Sequence, residues 1–211
     1  MAAPVPPAQI PRRSLARVFP PAPMAALTTM LVFTGLLYLI EFVDQVTSLR
    51  LDYDGGILPR EVSGLDGVAF APLLHGGWGH LIANTLPFLI FGFLVMAGGI
   101  GQFIAVTALI WLLSGLGVWL LGPSGYTTIG MSGVIFGWLV FLLARGFFAR
   151  SVKQILFAVV LFALWGGLLF GVFPGQPGVS WQAHLFGALA GLLAAWIVAR
   201  ADRRVSAGLT A

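Results

Sequence analysis

The sequence predicts an all-α membrane protein of six transmembrane helices with both chain ends in the cytoplasm. Three observations predict it. Hydrophobic residues make up 59% and charged residues 9% of the 211-residue chain, where a soluble domain carries about a quarter charged. No Asp, Glu, Lys or Arg occurs from Gly67 to Ala144 or from Gln154 to Ala199; uncharged runs of that length require several spans. The basic residues lie at the ends of the apolar runs, and nine of the eleven fall on one side of the resulting topology. The net charge of +4 is therefore a topology signal and not a sign of nucleic-acid binding. Cysteine is absent, which excludes a disulfide framework and a thiol nucleophile.

The elements follow in order. Residues 1–23 are proline- and arginine-rich; proline at this density prevents regular helix, so a short flexible cytoplasmic tail is expected. The apolar run that follows is too long for a cleaved secretory signal and is expected to remain as the first span. The spans are expected at about 24–44, 80–98, 101–121, 131–149, 153–173 and 181–200, each near the 20 residues that cross the hydrocarbon. Gly98-Gly99, Gly122-Pro123-Ser124-Gly125 and Pro174–Gly178 punctuate them. Residues 24–200 form one membrane domain and 201–211 a second cytoplasmic tail. Arg12, Arg13 and Arg17 precede the first span; Arg145, Arg150 and Lys153 lie between the fourth and fifth; Arg200, Arg203 and Arg204 follow the sixth. The positive-inside rule places all nine in the cytoplasm. Glu41, Asp44, Asp52, Asp54, Glu61 and Asp66 gather at or beyond the far end of the first span, so residues 45–79 form a long outer loop, partly embedded.

This topology starts the second, fourth and sixth spans on the outer side and brings four polar residues to one depth: His80 and Asn84, Ser132, and His184. Intramembrane polar groups are costly and face a protein interior or water. A lone histidine here would ordinarily be a helix–helix hydrogen-bond partner, but all three histidines of the chain (His75, His80, His184) fall in this zone. A serine held against an imidazole becomes a nucleophile. Gly133 and Gly137 share a face of the fourth span, and Gly187 and Gly191 share the face of the sixth that carries His184. Such small-residue faces let two backbones approach closely, in this case bringing Ser132 toward His184. His80 and Asn84, four apart on one helix face, are candidate donors to a developing oxyanion beside the Ser132 amide; the plainer reading is a polar clamp between spans. No carboxylate lies at this depth to orient His184, so the chemistry would be that of a Ser-His dyad. The absence of a carboxylate or thiolate among these residues also argues against a metal site.

The motifs resemble those of the rhomboid family of intramembrane serine proteases. Gly130-Met131-Ser132-Gly133 resembles its G-x-S-G nucleophile motif. Ala183-His184-Leu185-Phe186-Gly187 resembles A-H-x-x-G, and His80-Leu81-Ile82-Ala83-Asn84 resembles H-x-x-x-N, with His75 upstream. The resemblance implies a rhomboid-like bundle with no cofactor, and a dyad protease of the inner (plasma) membrane. It implies cleavage of transmembrane substrates near their outer ends, with entry from lipid beside the fifth helix. Two departures are notable: the family's Trp-Arg pair in the first outer loop is missing around Leu65–Val68, and Phe136 stands where the family has tyrosine. Phe136, one turn below Ser132, is expected to support the His184 ring. Pro174–Ser180 is expected to cap the site, with Phe157, Phe162, Trp165 and Phe170 of the fifth span as a moving wall. The alternative readings are a proteolytically inactive relative that binds membrane clients and, more remotely, a transporter, which would show two similar halves.

Overall fold

A computed structural model describes residues 17–47 and 49–208, with side chains through Arg203. Six helices are long and apolar enough to cross a membrane, and no strand is present among the described residues. They are α1 (Pro23–Val46), α2 (Trp78–Val95, with a further 3-10 turn Met96–Gly98), α3 (Ile100–Leu121), α4 (Ser132–Ala149), α5 (Val152–Trp165, continued to Val172 by 3-10 turns) and α6 (Trp181–Gly208). The chain is a multi-pass integral membrane protein.

Local chemistry sets the helix ends. Pro23 opens α1 at a position where its missing N–H costs nothing. Gly99, at φ +90°, turns the chain sharply from α2 into α3. Ser151 caps α5, its side chain accepting from the Gln154 amide at 3.4 Å.

Helix α4 is the centre of the bundle and packs against α2, α3, α5 and α6. Trp138 anchors this core. Its ring lies 5.4 Å from Phe88 of α2 and 5.6 Å from Phe103 of α3, and its indole N–H donates to Thr107 Oγ1 at 3.1 Å. The bond satisfies a polar group that would be expensive to bury alone. The α4–α6 contact is backbone on backbone. A Cβ added to Gly187 would stand 2.0 Å from the Gly133 carbonyl oxygen, and one added to Gly191 would stand 2.1 Å from that of Gly137. Only glycine fits at these two positions of α6.

The long α1–α2 connection is built from short helical turns at Leu51–Asp54, Val62–Gly64, Gly67–Phe70 and Ala71–Leu73. The missing Trp-Arg pair leaves it well anchored. Trp111 Nε1 donates to the Val68 carbonyl at 3.0 Å and Trp119 Nε1 to that of Glu61 at 2.8 Å. Arg60 Nη1 donates to the carbonyls of Gly122 at 2.7 Å and Leu120 at 3.3 Å, and its Nη2 bonds Ser124 Oγ. An isolated bridge pairs Ile57 with Thr128.

Three segments show detail that the expected boundaries did not carry. Helix α6 continues through Gly208, so most of the expected tail 201–211 is helical. The end of the expected flexible tail 1–23 is packed: the Arg17 carbonyl accepts from Arg145 Nη2 at 2.6 Å and Gln154 Nε2 at 3.1 Å, Val18 is buried, and Phe19 meets Phe157 edge-on at 5.9 Å. These bonds satisfy two polar side chains at the end of the α4–α5 pair, which is why the chain settles there. Residues 1–16 of that tail lie outside the described residues. The fifth span is α-helical only to Trp165 and then tightens into 3-10 turns, Gly166–Val172; Gly166-Gly167 weakens the helix at that point.

Candidate active site

Ser132 is the first residue of α4 and His184 lies in the first turn of α6. The glycine contact below them holds the two helices close enough for Ser132 Oγ to stand 2.9 Å from His184 Nε2. The other ring nitrogen, Nδ1, is 3.0 Å from the Gly171 carbonyl oxygen. A carbonyl only accepts, so Nδ1 carries the proton and Nε2 offers its lone pair to the serine hydroxyl. The Phe136 ring stacks on the imidazole, with centroids 3.8 Å apart and planes 9° apart. Both groups are buried.

Gly171 is a partner that sequence reasoning missed. Its contribution is a backbone carbonyl, which no side-chain pattern reports. The one available signal is its glycine: a Cβ there would stand 2.9 Å from His184 Nδ1 and 2.8 Å from Phe136 Cζ.

His80 faces the nucleophile loop from α2. Its Nδ1 accepts from the Gly76 amide at 3.3 Å, so the ring proton sits on Nε2. That nitrogen points at Gly130, where an added Cβ would meet it at 2.8 Å. Gly130 has φ +113°, and its N–H donates to the Ala71 carbonyl at 2.8 Å. The α1–α2 connection thus holds the extended segment that delivers Met131 and Ser132. Asn84 lies one turn along α2, and its Nδ2 is buried without a hydrogen-bond partner. His75 is buried and meets the His80 ring edge-on at 5.0 Å. Burial and, secondarily, the neighbouring His80 hold His75 well below its ordinary pKa, at about 4.

A cavity of about 380 Å³ is lined by His80, Asn84, Ser132, Phe136, Gly171 and His184, among others. Pro87 on α2 and Leu168 on the 3-10 segment form part of its apolar wall, and Gln176, Gly178, Val179 and Ser180 border it from the α5–α6 connection. A second cavity of about 490 Å³ shares His80 and Ile129 and opens toward Tyr126, Thr127, Trp181 and Gln182. Of the aromatic residues expected on the fifth-span wall, Phe162 and Phe170 are exposed, Phe157 packs on Phe19, and Trp165 packs edge-on to Phe91 at 5.4 Å. Among the described residues no three His, Cys, Asp or Glu side chains converge as a metal site needs.

A helical membrane bundle with a serine and an imidazole in contact below its rim defines a recognisable class. The Rhomboid domain profile matches residues 64–201, and the chain belongs to the rhomboid family. It is 48% identical over 188 residues to an uncharacterised protein of Mycobacterium tuberculosis, covering 85% of this chain and 78% of that one. A Bacillus subtilis protein provisionally named a rhomboid protease is 27% identical over 139 residues, 63% of this chain and 67% of that one. Rhomboid-like protein 11 of Arabidopsis thaliana is 28% identical over 151 residues, 62% of this chain and 51% of that one.

Proposed function

We propose that the chain is an intramembrane serine endopeptidase that cleaves transmembrane substrates with a Ser132–His184 dyad. The observation that carries this reading is the 2.9 Å contact between Ser132 Oγ and an imidazole nitrogen whose opposite nitrogen is held by a carbonyl. That arrangement leaves one lone pair on the ring, aimed at one hydroxyl.

The reaction follows from those positions. Ser132 Oγ attacks the scissile carbonyl carbon while its proton passes to His184 Nε2. The imidazolium that forms is stabilised by the Gly171 carbonyl at Nδ1–H and by the Phe136 face. The carbonyl oxygen becomes an oxyanion, for which His80 Nε2–H, Asn84 Nδ2–H and the Ser132 amide are the donors within the cavity. The C–N bond then breaks, and His184 returns the proton to the departing amine. Water, deprotonated by His184, hydrolyses the acyl ester and restores the serine. The cavity's apolar side suits a substrate helix arriving through lipid. The arrangement of basic residues supports a cytoplasmic position for both termini and an outer position for the site.

A fluorophosphonate probe tests the reading. Wild-type protein is expected to be phosphonylated at Ser132, and Ser132→Ala to be inert. Cleavage of a reporter transmembrane substrate is expected to be lost in Ser132→Ala and in His184→Ala alike, because the pair acts as a unit. A wild-type protein that neither labels nor cleaves, yet retains membrane clients on purification, would instead support the client-binding alternative.

A further inference from the structure

Two cavities meet at the candidate site, and the proposed reaction uses only one of them. The cavity of about 380 Å³ holds Ser132 and His184 and takes apolar walls from Pro87, Ile135, Phe136 and Leu168. The cavity of about 490 Å³ lies between the α3–α4 and α5–α6 connections. His80, Ile129 and residues 178–180 border both, so a chain held at Ser132 can run from one into the other. The second cavity is polar without being charged. Thr127, Thr128, Ser180 and Gln182 border it, and among the described residues no Asp, Glu, Lys or Arg does. Two of these four have work elsewhere in the fold: Ser180 Oγ accepts from the Ala183 amide at 3.4 Å, and the Thr128 backbone pairs with Ile57. Gln182 is different. It is 8% exposed and borders the cavity, and its side-chain amide has no hydrogen-bond partner among the described residues. Burying an amide without a partner is costly. Gln182 stands two residues before His184, roughly 200° around the helix, so the two side chains leave α6 on different faces. The amide therefore serves the second cavity and not the imidazole.

What enters that cavity must suit a buried amide with one acceptor oxygen and two N–H donors. An apolar side chain would seal the amide off unpaired, the situation against which binding sites discriminate most strongly. A carboxylate or ammonium would lose its water with no opposite charge on the cavity wall to replace it. A neutral side chain that both donates and accepts meets neither penalty, and another amide can pair with both atoms of Gln182 at once. We propose that Gln182 is a specificity-determining residue: the second cavity takes the stretch of substrate that runs past His80 away from the apolar walls, and Gln182 selects there an uncharged hydrogen-bonding side chain, Asn or Gln above Ser or Thr. The proposal deepens the serine-endopeptidase reading by naming a class of substrate, and it rests on that reading.

The experiment is a cleavage screen with purified full-length protein. The probe is a library of reporter substrates in which a leucine-rich transmembrane helix is joined to a fully randomised segment, and the new chain ends are sequenced. Wild type is expected to show one position, at a fixed distance from the cut, where Asn and Gln exceed Leu, Ala, Asp and Lys by roughly ten- to a hundredfold in kcat/KM. Gln182→Met keeps the length of the side chain and removes both polar atoms. It is expected to bring the ratio of Asn to Leu at that position to about one or below, since no amide is then left unpaired, while the ratios at the other positions stay as in wild type. A merely structural role for Gln182 would instead blunt all positions together. Selection that survives in Gln182→Met, or that weakens equally at every position, overturns the proposal. If Gln182→Met does not purify folded, Gln182→Leu in the same screen decides by the same criterion. Wild-type protein that takes the fluorophosphonate at Ser132 but shows no such position overturns the proposal and leaves the dyad standing. Wild-type protein that neither labels nor cleaves overturns the endopeptidase reading and this proposal with it.

Discussion

At the residue scale the site is a matter of two tautomers, each fixed by a backbone group. The Gly171 carbonyl puts the His184 proton on Nδ1, and the Gly76 amide puts the His80 proton on Nε2. One ring is thereby prepared to accept and the other to donate. Ser132, His184, His80 and Asn84, which line one cavity, could be singled out as candidates in the sequence because their chemistry is in their side chains. The two backbone partners were not, because every residue has a carbonyl and an amide. Phe136 was legible by spacing, and its stacking on His184 needs only a ring. Phe136→Tyr is therefore expected to change kcat/KM by less than about tenfold, or ~1.4 kcal/mol. Phe136→Ala is expected to cost far more, through a cavity as well as a loose imidazole; equal near-wild-type rates would assign ring support elsewhere. His75 makes a different prediction. Its folded pKa near 4 lies below the ordinary 6.5, so the unfolded chain binds its proton first as pH falls. The stability it contributes is complete above about pH 6.5 and is lost progressively down to about pH 4. His75→Phe is expected to flatten the dependence of unfolding temperature on pH across that window, and an unchanged slope would show that other groups set it.

At the element scale the working unit is the α4–α6 pair. Four-residue glycine spacing announced it, and the structure shows two carbonyls of α4 lying where Cβ atoms of α6 would be. Gly187→Ala must push the helices apart or distort both, at a cost of about 1–3 kcal/mol or more. Because Gly187 sits one turn below His184, the same separation lengthens the Ser132–His184 contact. The variant is expected to lose fluorophosphonate labelling and to unfold at lower temperature, and full labelling would show that the dyad does not depend on this contact. The end of the fifth span and the α1–α2 connection were much less legible. Apolar composition continues through Gly166–Val172 although the α-helix does not, since hydropathy measures length in the membrane and not hydrogen-bond pattern. The connection has no hydrophobic period at all; its shape comes from long-range bonds such as those of Arg60 and Trp119. Arg60→Ala frees the end of α3 and the chain leading to Gly130, and is expected to slow labelling about three- to tenfold. Arg60→Lys should restore little, since a single ammonium cannot span three acceptors. A wild-type rate in Arg60→Ala would mean that the Ile57–Thr128 bridge and the Gly130–Ala71 bond suffice.

At the scale of the whole molecule, the question is which way the bundle faces. Six spans return the chain to the side on which α1 starts, so the start of α1 and the end of α6 lie opposite the α1–α2 connection. That connection and the candidate site share one end of the molecule, because Ile57 pairs with Thr128 and Ala71 accepts from Gly130. Locating either one therefore locates Ser132. The sequence made the spans plain through long uncharged runs, and it argued the direction from nine basic residues against two. The helix geometry alone is silent on direction, since a bundle packs the same way whichever side faces out. The chain has no cysteine, so single cysteines report without background. Ser63 lies exposed in the connection and Ala201 exposed near the far end of α6, and replacing either leaves every charge in place. Ser63→Cys is expected to react with a membrane-impermeant maleimide in intact cells, and Ala201→Cys only after permeabilisation. The reverse pattern would put the site at the cytoplasmic face. Substrates would then be cut at their inner ends, and the excess of arginine at the termini would need a cause other than orientation, such as attraction to anionic headgroups.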